Sequence, residues 1–92
     1  MERITEKMLE GLCDRLNSLT GSPAHPYVAG KAQVGNFHIY HAYGGVCLHR
    51  IYNESGGATT PIGGGHYTKR ELYERLYAFI KGIEFSQDGG VK

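Results

Sequence analysis

The sequence predicts an α+β domain with the element order α-β-β-β-α, a three-stranded antiparallel meander carrying two helices on one face. Three observations predict it. Apolar residues recur at spacings of three and four near both ends of the chain, the spacing switches to two between Tyr27 and Tyr52, and glycine dipeptides punctuate that middle region. Two amphipathic helices and a half-apolar meander bury their faces most simply when both helices lie on the same side of the sheet. With 92 residues, 40% hydrophobic and 21% charged, the composition is that of one globular unit. A chain of this size buries roughly 60 to 65% of its extended surface. Residues 1–84 are expected to form the domain and residues 85–92 a flexible tail, since SQDGGVK has no packing signal.

In the first helix Ile4, Met8, Leu9, Leu12, Leu16 and Leu19 form the apolar stripe, opposite Glu6, Lys7, Glu10, Asp14 and Arg15. Gly21 supplies a left-handed position after it, and Pro23 and Pro26 forbid continuation, so the helix should end near Thr20. Strands are expected at about 27–34, 37–43 and 46–53, joined by two-residue turns at Gly35-Asn36 and Gly44-Gly45. A turn at Gly44-Gly45 would set Tyr43 against Val46, His41 against Leu48, Ile39 against Arg50 and Phe37 against Tyr52. Those eight share one face. His38, Tyr40, Ala42, Cys47, His49 and Ile51 share the other, which is smaller and more polar and is expected to be exposed.

Residues 53–66, NESGGATTPIGGGH, read as a long loop in which 58–62 is a candidate fourth, edge strand. The last helix is expected over 69–82: Leu72, Leu76, Phe79, Ile80 and Ile83 form a stripe, Thr68 and Glu71 make a capping box, and Gly82 fits the end.

Charge gives few leads to function. Ten basic and nine acidic residues leave a net charge of +1, which exerts no bulk pull on nucleic acid or acidic membrane. Residues 21–67 hold only Lys31, Arg50 and Glu54 as charged side chains, yet contain all five histidines. Cys13 and Cys47 lie far apart with no CxxC spacing, the pattern of buried free thiols. The N-terminus has no apolar leader-like core and no run approaches the roughly 18 apolar residues of a membrane span, so no membrane association and a cytoplasmic location are expected.

The chemistry-bearing types concentrate in HIYHAYGGVCLHRIY, residues 38–52. Imidazole binds metals and shuttles protons, but two sheet histidines without a third ligand make no zinc site. Cys47 likewise has no carboxylate or amide placed to orient His49 as its base. Neither catalytic residues nor a metal or cofactor site are therefore assigned, and the protein is read as a non-enzyme. Tyrosine gives large contact area at low rotamer cost and is enriched in interfaces. His38, Tyr40, His49 and Ile51 are accordingly the candidate binding surface, for a protein partner or a second copy of the chain. The alternative is an anion or nucleic-acid site. There Gly63, Gly64 and Gly65 lead into a helix N-terminus carrying Lys69, Arg70 and Arg75.

Two resemblances add to this reading. HAYGG (41–45), NESGG (53–57) and TKRELY (68–73), within residues 35–84, resemble a group of short uncharacterised bacteriophage and prophage proteins. That resemblance implies a phage or prophage origin and residence in a bacterial host, and brings no activity with it. The element order is also similar to that of the double-stranded RNA-binding domain, whose second helix opens with lysines behind a glycine-containing turn. Lys69 and Arg70 match part of that cluster; its third lysine is absent, and Glu71 and Glu74 stand nearby.

Overall fold

The computed structural model describes residues 3–88, and the elements run α1 (Glu6–Thr20), β1 (Tyr27–Val28), β2 (Lys31–Ala32), β3 (Phe37–Ala42), β4 (Gly45–Ile51), β5 (Ala58–Thr59) and α2 (Lys69–Gln87). The fold is α+β, with antiparallel strands in two small sheets between two helices. Both helices pack on one face of the sheet β3-β4-β5. Leu9, Cys13 and Leu16 of α1 meet Leu72, Leu76 and Ile80 of α2 over Phe37, Val46 and Leu48. Phe37 also lies edge-on to Phe79 at 6.4 Å.

The helix starts and the first helix end follow their local signals. Thr5 caps α1 by accepting the Met8 N–H at 3.2 Å, and Gly21 closes it at φ 69°. In α2, Thr68 and Glu71 form the expected capping box. Gly82 does not end that helix, which runs five residues further to Gln87. The contacts beyond it outweigh the roughly 1 kcal/mol helix cost of a glycine. Ile83 packs against the core, Glu84 pairs with Arg15, and Gln87 Nε2 donates to the Leu19 carbonyl at 2.6 Å. The first three residues of the expected tail are thus helical, while residues 89–92 lie outside the described residues.

The strands depart more from expectation. The segment expected as one strand, 27–34, is a separate ribbon that turns on itself at Ala29 (φ 52°) and Gly30 (φ 79°). The third strand of the main sheet is instead the short edge piece β5, which pairs Ala58 with Ile51 and Thr59 with Arg50. Gly35-Asn36 is not a hairpin turn but a bulge. Gly35 N–H donates to the Ile51 carbonyl (2.7 Å) and Ile51 N–H to the Asn36 carbonyl (3.0 Å), two residues against one, with Gly35 at φ 99°.

The β3–β4 hairpin turns at Tyr43-Gly44, both at positive φ, so its register is shifted by two residues from a Gly44-Gly45 turn. Ile39 now faces Leu48, His41 faces Val46, Phe37 faces Arg50 and His38 faces His49. A shift of two leaves every side chain on its expected face. Gly45 is needed in the strand itself. A Cβ there would stand 2.8 Å from His66 Cβ, where the chain comes in to exchange both backbone bonds between Val46 and Tyr67 (2.9 and 2.8 Å).

One polar contact fixes the helices to the sheet. Asn17, on the buried side of α1 at 3% exposure, donates from Nδ2 to the Phe37 carbonyl (3.0 Å) and accepts the Phe37 N–H on Oδ1 (2.8 Å). Its amide thereby replaces a neighbouring strand at the edge of β3. Replacing Asn17 by Ala strands both backbone groups of Phe37, and each buried orphan costs about 1 to 3 kcal/mol. Asn17→Ala is therefore expected to lose roughly 2 to 6 kcal/mol, a large part of the stability of a domain this size. Urea unfolding checks it: the midpoint should fall with the slope unchanged.

Candidate functional site

On the sheet face away from the helices, the register places aromatic rings in a row. His38 and His49 sit opposite each other with rings edge-on at 5.7 Å, and Tyr40 stacks on His49 at 4.3 Å with the planes 8° apart. At the hairpin tip Tyr43 meets His66 edge-on at 5.0 Å. Of the four residues that the sequence assigns to this surface, three are brought together. Ile51 is not available to a partner, being only 2% exposed, and Cys47 at the same figure is no more accessible. The reason is the place of β4 at the centre of the sheet. A pairing segment flanks it on each side, Asn36 and β3 on one, Tyr67 at Val46 and β5 at Arg50 and Ile51 on the other.

Two members of the surface, Tyr43 and His66, are not visible in the sequence pattern. Alternation puts Tyr43 within a strand, paired with Val46; it is instead 92% exposed at φ 51°, a left-handed conformation that L side chains adopt at a cost. His66 arrives from the far end of the glycine-rich loop. The signal for Tyr43 is local. A two-residue hairpin turn needs positive φ at both central positions, and Tyr43-Gly44 meets it as well as Gly44-Gly45 only if the tyrosine accepts strain.

Hydrogen bonding fixes the state of His38. Asn36 is fully buried and its Nδ2 donates to the Pro23 carbonyl (2.9 Å), so its Oδ1 accepts from His38 Nδ1–H at 3.1 Å. In the neutral ring the lone pair of His38 then lies on Nε2. Burial lowers its pKa from 6.5, with His49 adding to the effect; burial lowers that of His49 too, with His66 adding. The thiols are poor nucleophiles. Cys13 is pushed up to about 12 by burial, reinforced by Asp14 and Glu10, and burial raises Cys47 as well. Among the described residues no three His, Cys, Asp or Glu side chains converge as a metal site.

The glycine-rich turn is arranged around Tyr67. Gly63 N–H donates to the Thr60 carbonyl at 3.0 Å, Tyr67 Oη donates to the Gly64 carbonyl at 3.2 Å, and the Arg75 guanidinium lies over the Tyr67 ring at 4.6 Å. At the start of α2, Glu71 Oε1 accepts the Thr68 N–H at 2.9 Å, a bond that holds its carboxyl below the usual range. A carboxylate of the chain thus already accepts the N–H of the residue that caps this helix.

Compared with family models, curated proteins and solved structures, the chain matches none. No helix of the described residues is long and apolar enough to cross a membrane.

Tyr43→Asn converts the tip to Asn-Gly, the pair that left-handed turns prefer. The exchange should relieve about 1 kcal/mol of strain and raise Tm by roughly 4 to 8 °C, read by thermal unfolding. The histidines give a pH signature of definite sign. Their folded pKa values lie below 6.5, so the unfolded chain binds more protons; stability is full above pH 6.5 and falls as the pH drops through and below it. Urea midpoints measured down to about pH 5 should show this decline, and His49→Phe, which keeps the stack on Tyr40, should flatten it.

Proposed function

We propose that this protein is a small non-enzymatic interaction module that buries the row His38, His49, Tyr40, Tyr43 and His66 against a protein partner or a second copy of itself. The observation that carries the reading is Tyr43, a large aromatic held almost fully in solvent on strained backbone. Strain of this kind lowers stability and persists where a function uses it. The neighbouring rings are already ordered by stacking and by the Asn36 hydrogen bond, so binding them costs little side-chain entropy. The charge-poor middle of the sequence removes the desolvation penalty that lysines and carboxylates would bring. On the resemblance of residues 35–84, the partner would be a phage or bacterial host protein, met in the cytoplasm.

Nucleic-acid binding through Lys69, Arg70 and Arg75 is the lesser reading. The capping Glu71 supplies negative charge where a phosphate would sit, and Arg75 is engaged with Tyr67.

The test compares the wild-type chain with Tyr40→Ser/Tyr43→Ser, two solvent-exposed changes that leave the core intact. Sedimentation gives the mass of each, and each serves as bait in a bacterial host lysate. Expected is a wild-type dimer or a captured protein that the doubly substituted chain loses, as truncation of an aromatic anchor costs about 2 kcal/mol or more of binding. A wild type that stays monomeric and captures the same proteins as Tyr40→Ser/Tyr43→Ser would remove this reading. Binding to DNA or RNA that weakens steeply between 50 and 200 mM salt would favour the lesser one.

A further inference from the structure

A second surface runs along the edge of β3 and borders the aromatic row at His38. In an antiparallel pair alternate residues bond across the ladder and the rest turn their backbone groups outward. The bonds at Asn36 and Ile51 set that alternation, and Val46, opposite His41, agrees with it by spending its N–H and C=O on Tyr67. Phe37, Ile39 and His41 therefore point their N–H and C=O away from β4. Asn17 satisfies Phe37. The four groups of Ile39 and His41 have no protein partner among the described residues, and an uncovered strand edge is a template for another strand.

That edge opens into a groove of about 380 Å³ between β3 and α1, with Cys13 and Ile39 in its lining and Pro26 at one end. Its fixed charges have one sign. Glu10 and Asp14 line it, with no lysine or arginine among the lining residues, and at its other end Glu6 Oε1 lies 3.0 Å from Nε2 of the lining residue His41. Neither Glu10 nor Asp14 is in an ion pair among the described residues.

We infer that the β3 edge binds an extended cationic peptide, which adds as a strand through the backbone of Ile39 and His41 while its basic side chains meet Glu10 and Asp14. The site is short, because Ile39 and His41 are only about 7 Å apart and Asn17 blocks extension past Phe37. This is strand addition, in which the backbone supplies affinity and the flanking side chains select. Charge argues against a second copy as the occupant. Pairing β3 with β3 about a two-fold axis would bring two α1 helices together on one face, with Glu6, Glu10 and Asp14 of each turned toward the other.

The probe is the peptide acetyl-Lys-Val-Lys-Val-Lys-amide, with its Glu-Val-Glu-Val-Glu counterpart as control, added to the full chain and followed by amide hydrogen exchange. The lysine peptide should slow exchange at Ile39 and His41, leaving Tyr40, already bonded into the ladder, unchanged. The glutamate peptide should bind about tenfold more weakly or less, since each exposed ion pair contributes up to about 1 kcal/mol. Glu10→Lys/Asp14→Lys should reverse the preference. Tyr40→Ser/Tyr43→Ser should bind the lysine peptide as the wild type does, which separates this site from the aromatic face. Unchanged exchange at Ile39 and His41 with saturating lysine peptide would overturn the inference, as would equal slowing by both peptides. So would protection that grows with protein concentration alone, the mark of a second copy on the edge.

Discussion

The two hydrogen bonds between the Asn17 amide and the Phe37 backbone hold the architecture in place. A three-stranded sheet with one strand of two residues has little ladder to stabilise it, and its β3 edge would begin with an orphaned buried peptide group. Asn17 removes that penalty and at the same time sets the rotation of α1, because a planar amide bonded at both ends has one orientation. Once α1 is set, Leu9, Cys13 and Leu16 fall over Phe37, and α2 closes the core from the other side. Arg15 to Glu84 and Gln87 to Leu19 then extend the helix pair beyond the sheet. Hydrophobic burial supplies most of the stabilisation, but it does not by itself choose a rotation; the buried amide does.

Helices and faces are legible in the sequence because their signals are periodic and local. The stripes of both helices, the N-terminal cap of α2 and the division of β3 and β4 into two faces follow from local spacing, and a two-residue register shift does not disturb the last of these. Three features are decided by contacts distant in sequence. Gly82 looks like a helix stop until Ile83 and Gln87 find partners on the core and α1. Gly45 looks like a turn residue until His66 comes within contact of its backbone. Gly35-Asn36 looks like a hairpin until Asn36 is drawn inward by Pro23 and His38. In each case the glycine or asparagine is marked by the sequence as special and its role is set elsewhere. Within the candidate site the same division holds. His38, Tyr40 and His49 follow from alternation, Ile51 is withdrawn by the strand pairing beside it, and Tyr43 and His66 depend on where the chain turns.

The two faces of the sheet are built for different tasks. The inner face is apolar and closed by helices, whereas the outer one has rings that stack on one another and remain partly in water. Neutral histidines suit such a place, since they offer flat contact area and one acceptor nitrogen without a full charge. Glu10, Asp14 and Glu6 stand along the remaining border, so the molecule presents an aromatic surface and an acidic one that meet at His38.

The two cysteines are placed so that each guards a different layer. Cys13 belongs to the core between helices and sheet; Cys47 lies on the reverse side of β4, and both are free and buried. Cys13 borders the groove beside α1 and Cys47 sits on the outer face, so a thiol reagent reaches each once the side chains around it move aside. The chain therefore carries its own pair of chemical reporters, one on the groove beside the first helix and one on the outer face of the hairpin.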